Sequence, residues 1–334
     1  MTSKRMTFGQ ATLDAMEFAM LEDQNVIAIG EDISWGGNFG QFRGLVEKFG
    51  STRIIDMPIS EALIVSAALG AAVTGLKVVA SMSFVEFTLG AMDEIVNQAS
   101  KFRYMFGGQV SVPIVIRASD GIRGSSGPQH SSSLENLFCH IPGLKVVAPS
   151  NANDAKGLLR TAIRDPDPVI YLEHKRITGV RSDVEDGDFS IPLGVARIAR
   201  QGSSVSVITY SDMVNNALAA AQELEKYDID VEVIDLRSLV PLDYACIEES
   251  ALRTRNVVVA HESWKFCGFG SEIVAHLAEK FGGNLNIRLA RVGAKSAPIP
   301  FSPILESQVV PGVAELVQSI GKILGIELPT IRGV

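Results

Sequence analysis

Six short apolar runs in the first half of the chain set the strongest limit on its fold: VIAIGED (Val26–Asp32), RIID (Arg53–Asp56), KVVAS (Lys77–Ser81), VPIVIR (Val112–Arg117), KVVAPS (Lys145–Ser150) and PVIYLEH (Pro168–His174). Several of them lack apolar/polar alternation. A strand with one wet face shows a period of two, so runs without it are read as strands covered on both faces. Helical patterns lie between them at Phe8–Glu22, Phe42–Phe49, Glu61–Thr74, Gly90–Arg103 and Ala152–Arg164. Strand and helix in alternation predict an α/β fold with a doubly wound, mostly parallel sheet.

The pattern thins in TGVRSDVEDGDFSIPLGVARIARQGSS, an acidic stretch with Gly, Pro and Ser, and a domain boundary is placed near residue 195. The expected domains are therefore 1–195 and 196–334. The second repeats the alternation on a smaller scale, with strands in SVSVITY, DVEVIDL, NVVVAHE and NIRLARV. Its helices are expected at Met213–Tyr227, Tyr244–Arg253, Ser271–Phe281 and Val313–Leu324. A chain of 334 residues is long enough for two such cores.

Charge and cysteine content exclude several function classes. Thirty Lys and Arg against 38 Asp and Glu leave a net charge of −8, with no basic run. Nucleic acid and anionic membrane surfaces call for clustered Lys and Arg, so neither is an expected partner, whereas a basic protein could be. Cys139, Cys246 and Cys267 have no CxxC spacing. That argues against a disulfide framework or zinc ribbon, and for a reducing compartment. The start, MTSKRMTFGQ, has no apolar h-region, and the apolar stretch from Ala62 to Leu76 falls short of the roughly 20 residues of a bilayer span. The chain reads as soluble.

Few side chains announce chemistry unaided. Glu61 sits in DMPISEAL at the first turn of an apolar helix, where Ser60 can cap and a carboxylate suits the helix dipole. It also stands near the carboxyl end of a parallel strand, where open α/β sheets place ligands. His130 lies in ASDGIRGSSGPQHSSS, a loop long for an ordinary connection. It is either a surface histidine or a catalytic one. His140 is read as a core or supporting histidine, and Phe84 and Phe87 as core aromatics first and stacking surfaces for a flat cofactor second. His174, His261 and His276 receive no role. There is no phosphate loop, dinucleotide fingerprint, HExxH or GxSxG.

The ordered motifs GED (Gly30–Asp32), RIIDMPISEA, GAAVTGLKVV, KFRYMFGGQVSVPIVIR, GPQHS, HIPGLKVVAPSNANDAKGLL, DLRSLVPLD and PIPFSPILE together carry a resemblance. The chain resembles the beta subunit of the thiamine-diphosphate-dependent decarboxylating component of 2-oxo acid dehydrogenase complexes. That family covers pyruvate, branched-chain and acetoin dehydrogenases and is transketolase-like. The resemblance spans the chain from about residue 7 onward.

It implies a pyrimidine-binding domain over 1–195 and a transketolase C-terminal-like domain over 196–334. It further implies roles. Glu61 would hydrogen-bond N1′ of the aminopyrimidine, favouring the imino tautomer whose nitrogen acts as base beside the thiazolium carbon. Phe87, and more weakly Phe84, would lie beside that ring. His130 would steady the anionic intermediate and serve acyl transfer to a lipoyl group. Ile114, Ala162, Asp165 and Asp167 fall where relatives bind a monovalent cation such as K⁺, largely through backbone oxygens.

The family's GDG…N motif for Mg²⁺ and diphosphate belongs to the alpha subunit, and DGDF at Asp186–Phe189 does not match it. Thiamine diphosphate is therefore expected to be shared with an alpha subunit in an α2β2 heterotetramer. A lipoyl-bearing acyltransferase is the expected further partner and a 2-oxo acid or acetoin the substrate. A bacterial cytoplasm is the expected location, with the mitochondrial matrix as alternative. Ser81, Ser132 and Lys295 depart from residues many relatives carry there, Glu, Gln and Asp. Two other readings stay open: a two-chain transketolase-like transferase, and a silent paralogue that serves as scaffold.

Overall fold

The computed structural model describes residues 2–282 and 286–329. They form two compact units, and neither is one continuous stretch. The first comprises residues 1–120, 137–193 and 239–241; the second comprises 121–136, 194–238 and 242–334.

The first unit holds a seven-stranded sheet in the order Ser238–Val240, Lys145–Val147, Val169–His174, Ile114–Asp120, Lys77–Met82, Val26–Gly30, Ile54–Asp56. Each of the pairings among the last six strands is parallel. Both faces are covered, which is why the alternation is missing. Val26, Ala28, Val79, Val115, Val169 and Tyr171 point into one core with Met16, Met20, Leu158 and Ile163 of the helices Phe8–Glu22 and Ala152–Arg164. The alternate residues Ile27, Ile29, Val78, Ala80 and Ile116 are buried too, and the helix Glu61–Val73 packs on these strands.

Helix starts follow from their capping residues. Thr7 Oγ1 accepts the N–H of Gln10 at 3.1 Å, and Gln10 Oε1 accepts the N–H of Thr7 at 2.9 Å. Asn151 likewise caps Ala152–Arg164 through the N–H of Asp154. Ser60 departs from expectation. Its backbone is extended and its side chain makes no cap bond, the helix beginning with the Ile64 N–H donating to the Ser60 carbonyl at 2.9 Å.

The second unit has a five-stranded sheet ordered Arg288–Ala294, Asn256–Trp264, Val205–Thr209, Val231–Asp235, Arg197–Arg200. All its pairings are parallel except the last, which is antiparallel. The chain thus has the two-domain α/β architecture expected.

The stretch read as a bare linker is structured. Arg181–Glu185 pairs antiparallel with Ser3–Thr7 in a two-stranded ribbon, and Arg197–Arg200 is an edge strand. Both carry too many charged residues to show an apolar period. Further along, Arg160 and Arg164 grip Asp188 and Glu22. Arg160 Nε and Nη2 donate to the two oxygens of Asp188 at 2.6 and 2.8 Å, and Arg160 Nη2 also donates to Glu22 at 2.5 Å. Gly157 adds a close approach, since a Cβ there would fall 2.6 Å from Ile191.

Two stability predictions follow from these contacts. Hydrogen bonds from Arg160 hold the Asp188 carboxyl below its ordinary value, and those from Arg164 and then Arg160 do the same for Glu22. With folded values below unfolded ones, the unfolded chain takes up protons first as pH falls. The contribution is complete at neutral pH and is lost below about pH 4. Asp188→Asn should cost about 2 kcal/mol at pH 7, because buried Arg160 loses its two-point ionic partner and keeps only Glu22, and should flatten the acid limb of stability measured in urea. In the second unit a Cβ on Gly268 would meet the Trp264 carbonyl at 2.3 Å and His261 Cε1 at 2.4 Å. Gly268→Ala should therefore cost about 2 kcal/mol or more by the same measurement.

Candidate active site

At the carboxyl end of the first unit's sheet, two segments bring the candidate residues together. Glu61 opens its helix five residues after the strand Ile54–Asp56 and is half-buried. The short helical turn Val85–Ala91, which follows the strand Lys77–Met82, carries Phe87 and packs against the Glu61 helix. Gly90 lies beside Glu61: a Cβ on Gly90 would stand 3.5 Å from both Cβ and Oε2 of Glu61. The carboxylate is thus bordered there by bare backbone. Ile59 and Leu63, two residues to either side of Glu61 in sequence, and Leu89, next to Gly90 in sequence, are exposed.

Phe84 and Phe87 are half-buried and meet edge-to-face, with ring centroids 5.4 Å apart. Phe84 also takes the edge of Phe39 at 5.7 Å and the Lys175 ammonium at 5.3 Å from its ring centroid. Much of its surface is therefore engaged. Gly90, Phe39 and Lys175 carry no motif of their own.

The proposed cation residues stand at the opposite, amino end of the sheet. Ile114 begins its strand, and Ala162, Asp165 and Asp167 lie at the turn between the helix Ala152–Arg164 and the strand Val169–His174. Both carboxylates are paired already. Lys145 Nζ donates to the two oxygens of Asp165 at 2.6 and 2.8 Å and to Asp167 at 3.3 Å, while Arg103 donates to Asp167 at 2.6 Å. The Ala162 carbonyl accepts the N–H of Asp165 at 3.2 Å. A monovalent ion would have only main-chain carbonyls to use, and the Lys145 ammonium competes with it.

His130 groups with the second unit, at the end of a single helical turn, Pro128–His130, and is half-buried. Ser132 is buried and its Oγ turns back toward the Pro128 carbonyl at 3.5 Å. Lys295 is exposed. His140 is exposed rather than a core residue, being in the turn after a one-and-a-half-turn helix. His261, given no role, is enclosed by Gly268, Gly270 and Gly293, and burial pushes its imidazole below its ordinary value. The Cys246 thiol is pushed up to about 11, first by burial and then by Asp243, so it is no nucleophile.

The magnesium question can be put to the donors present. In the DGDF stretch, Asp188 is bound by two arginines and Asp186 lies 3.5 Å from Lys4. Those carboxylates are spent on salt bridges and do not fit a diphosphate-bound metal.

A model of the transketolase pyrimidine-binding domain matches residues 4–180, and one of the transketolase C-terminal domain matches residues 194–316. A split-gene transketolase, in a structure described as an inactive beta4 tetramer, superposes with a TM-score of 0.77 at 23% identity, covering 96% of this chain and 99% of that one. This likeness concerns the fold.

Among curated proteins, the chain is 42% identical over 331 residues to the beta subunit of acetoin:2,6-dichlorophenolindophenol oxidoreductase from Cupriavidus necator, covering 96% of this chain and 98% of the relative. Its counterpart in Bacillus subtilis is 41% identical, with 96% and 97% covered. The beta subunit of the pyruvate dehydrogenase E1 component of Rickettsia felis is 39% identical, with 96% and 98% covered. The chain belongs to the family of beta subunits of the thiamine-diphosphate-dependent decarboxylating component of 2-oxo acid dehydrogenase complexes, acetoin dehydrogenases included. No helix among the described residues is long and apolar enough to cross a membrane.

Proposed function

We propose that this beta subunit completes a thiamine diphosphate site whose other half an alpha subunit supplies, and that Glu61 is its catalytic carboxylate. The observation that carries the reading is the setting of Glu61. It is a half-buried carboxylate that follows a strand's carboxyl end and is bordered by the backbone of Gly90, in segments that also carry the exposed Ile59, Leu63 and Leu89. Exposed apolar side chains on such segments are what a partner surface would cover.

Bound there, the cofactor supplies the carbon acid that attacks a carbonyl and the electron sink that lets the adjacent C–C bond break. Glu61 holds a proton at the aminopyrimidine N1′ and orients that ring. Phe87 supports the ring from the side. His130 stabilises developing negative charge and moves a proton during acyl transfer to a lipoyl group. All three residues lie in the pyrimidine-binding stretch 1–195, although the loop that bears His130 groups with the second unit, which otherwise draws on the C-terminal 196–334.

Magnesium belongs to the alpha subunit in this proposal, in keeping with the salt-bridged DGDF stretch. A potassium ion among Ile114, Ala162, Asp165 and Asp167 has support only from their carbonyl oxygens. The assembly is an α2β2 heterotetramer served by a lipoyl-bearing acyltransferase, and the substrate is acetoin or a pyruvate-type 2-oxo acid. The 42% and 41% matches to bacterial acetoin-enzyme subunits favour a bacterial cytoplasm over a mitochondrial matrix.

With the alpha subunit present, Glu61→Gln should lower turnover of acetoin or pyruvate at least about a hundredfold, the usual loss when a positioned proton partner is removed. Assembly, followed by size-exclusion chromatography, should be unchanged. Indifferent turnover would sink the catalytic reading and favour a scaffold. Full activity of this chain without an alpha subunit would overturn the shared site instead.

A further inference from the structure

The stretch Gly121–Asn136, which carries His130, interrupts the first unit in sequence yet groups with the second. Three buried carboxylates, none of them used in the chemistry above, hold it there. Glu262 Oε1 accepts the N–H of Ile122 at 2.8 Å and the hydroxyl of Ser133 at 3.0 Å, so one oxygen ties the first and last turns of the loop. Across the same neck the Gly121 N–H donates to the Ser132 carbonyl at 3.0 Å. Glu306 Oε2 accepts the N–H of Ser125 at 3.2 Å, toward the tip. Glu135 Oε1 accepts the Tyr210 hydroxyl at 2.5 Å and the Ser263 hydroxyl at 2.6 Å, fixing the exit.

These groups are 8% (Glu262), 5% (Glu306) and 1% (Glu135) exposed, so water competes little for their bonds. Behind the neck, Ile122 packs with Ile299 and Val310. Tyr210 directly follows the strand Val205–Thr209, and Glu262 and Ser263 end the strand Asn256–Trp264. The carboxyl ends of parallel strands are where an open α/β sheet ordinarily receives a ligand. In this unit that place is taken by the chain's own loop.

We propose that Glu262 is a positioning residue that latches the neck of the His130 loop, so that His130 is held in one place for acyl transfer. The catalytic consequence rests on the role of His130 proposed above; the latch does not.

The test uses the assembled enzyme with Glu262→Ala, Glu262→Gln and Ser133→Ala. In Glu262→Ala, amide hydrogen exchange across residues 121–136 should quicken at least about tenfold while the strand Val205–Thr209 stays protected. Reductive acylation of a lipoyl domain should fall about tenfold or more in kcat, with dye reduction by 2,6-dichlorophenolindophenol changed less than about threefold. Glu262→Gln keeps an acceptor oxygen and should restore both rates to within about twofold.

Ser133→Ala removes one of the two bonds without burying a new polar group. It should quicken loop exchange about threefold, and it decides the matter if Glu262→Ala does not assemble. Unchanged loop exchange in these variants overturns the latch. Faster exchange with equal loss of both activities overturns the positioning role. A His130→Ala enzyme that still acylates lipoyl at the normal rate overturns the reading of His130, and the exchange data then judge the latch by themselves.

Discussion

Arg117 and Glu173 form the buried ion pair on which the first unit's geometry depends. Arg117 Nε and Nη2 donate to the two oxygens of Glu173 at 2.6 and 2.9 Å, and Nη2 also donates to Thr12 Oγ1 at 2.6 Å. The guanidinium lies 5.2 Å from the ring centroid of Phe42. Neighbouring strands, the first long helix and the loop that bears Phe42 therefore converge on one planar cation. Taking these charges out of water is costly, and an apolar filling could be as stable. What the pair adds is discrimination. A shift of either strand by one residue would turn a charge onto the opposite apolar face.

That rigidity bears on the ends of the sheet. Glu61 and Phe87 follow the two strands that flank Val26–Gly30 at the carboxyl edge, whereas the Lys145–Asp165–Asp167 cluster closes the amino edge. The two edges use similar residue types for different ends. At the amino edge every carboxylate has a cation beside it and serves to fasten a turn. At the carboxyl edge Glu61 is bordered by glycine backbone.

Much of this architecture could be read from the residues. Helices Phe8–Glu22 and Ala152–Arg164 begin and end where expected, because Thr7 with Gln10, and Asn151, mark their starts. Val313–Leu324 is likewise as expected, its apolar face being regular. The ribbon of Ser3–Thr7 with Arg181–Glu185 was invisible, since charged edge strands show no apolar period. Ser238–Val240 was missed because three residues are too few to show one. Glu61, Phe87 and His130 were legible through the motifs around them. Gly90, Glu262 and Glu306 were not, for their importance lies in what folds against them rather than in their own neighbours.

The docking of residues 121–136 has a bearing on how the chain is made. The N–H of Ile122 waits for a carboxylate 140 positions later, and that of Ser125 for one 181 positions later. As the polypeptide leaves the ribosome, the loop emerges long before anything that can receive it. Contacts of such separation slow folding and prolong the exposure of unpaired backbone. The short strand Ser238–Val240 makes the reverse exchange, joining the first sheet only after most of it has been synthesised. The first unit therefore waits for residues 239–241, made after the loop 121–136, and that loop waits for Glu262 and Glu306, made later still.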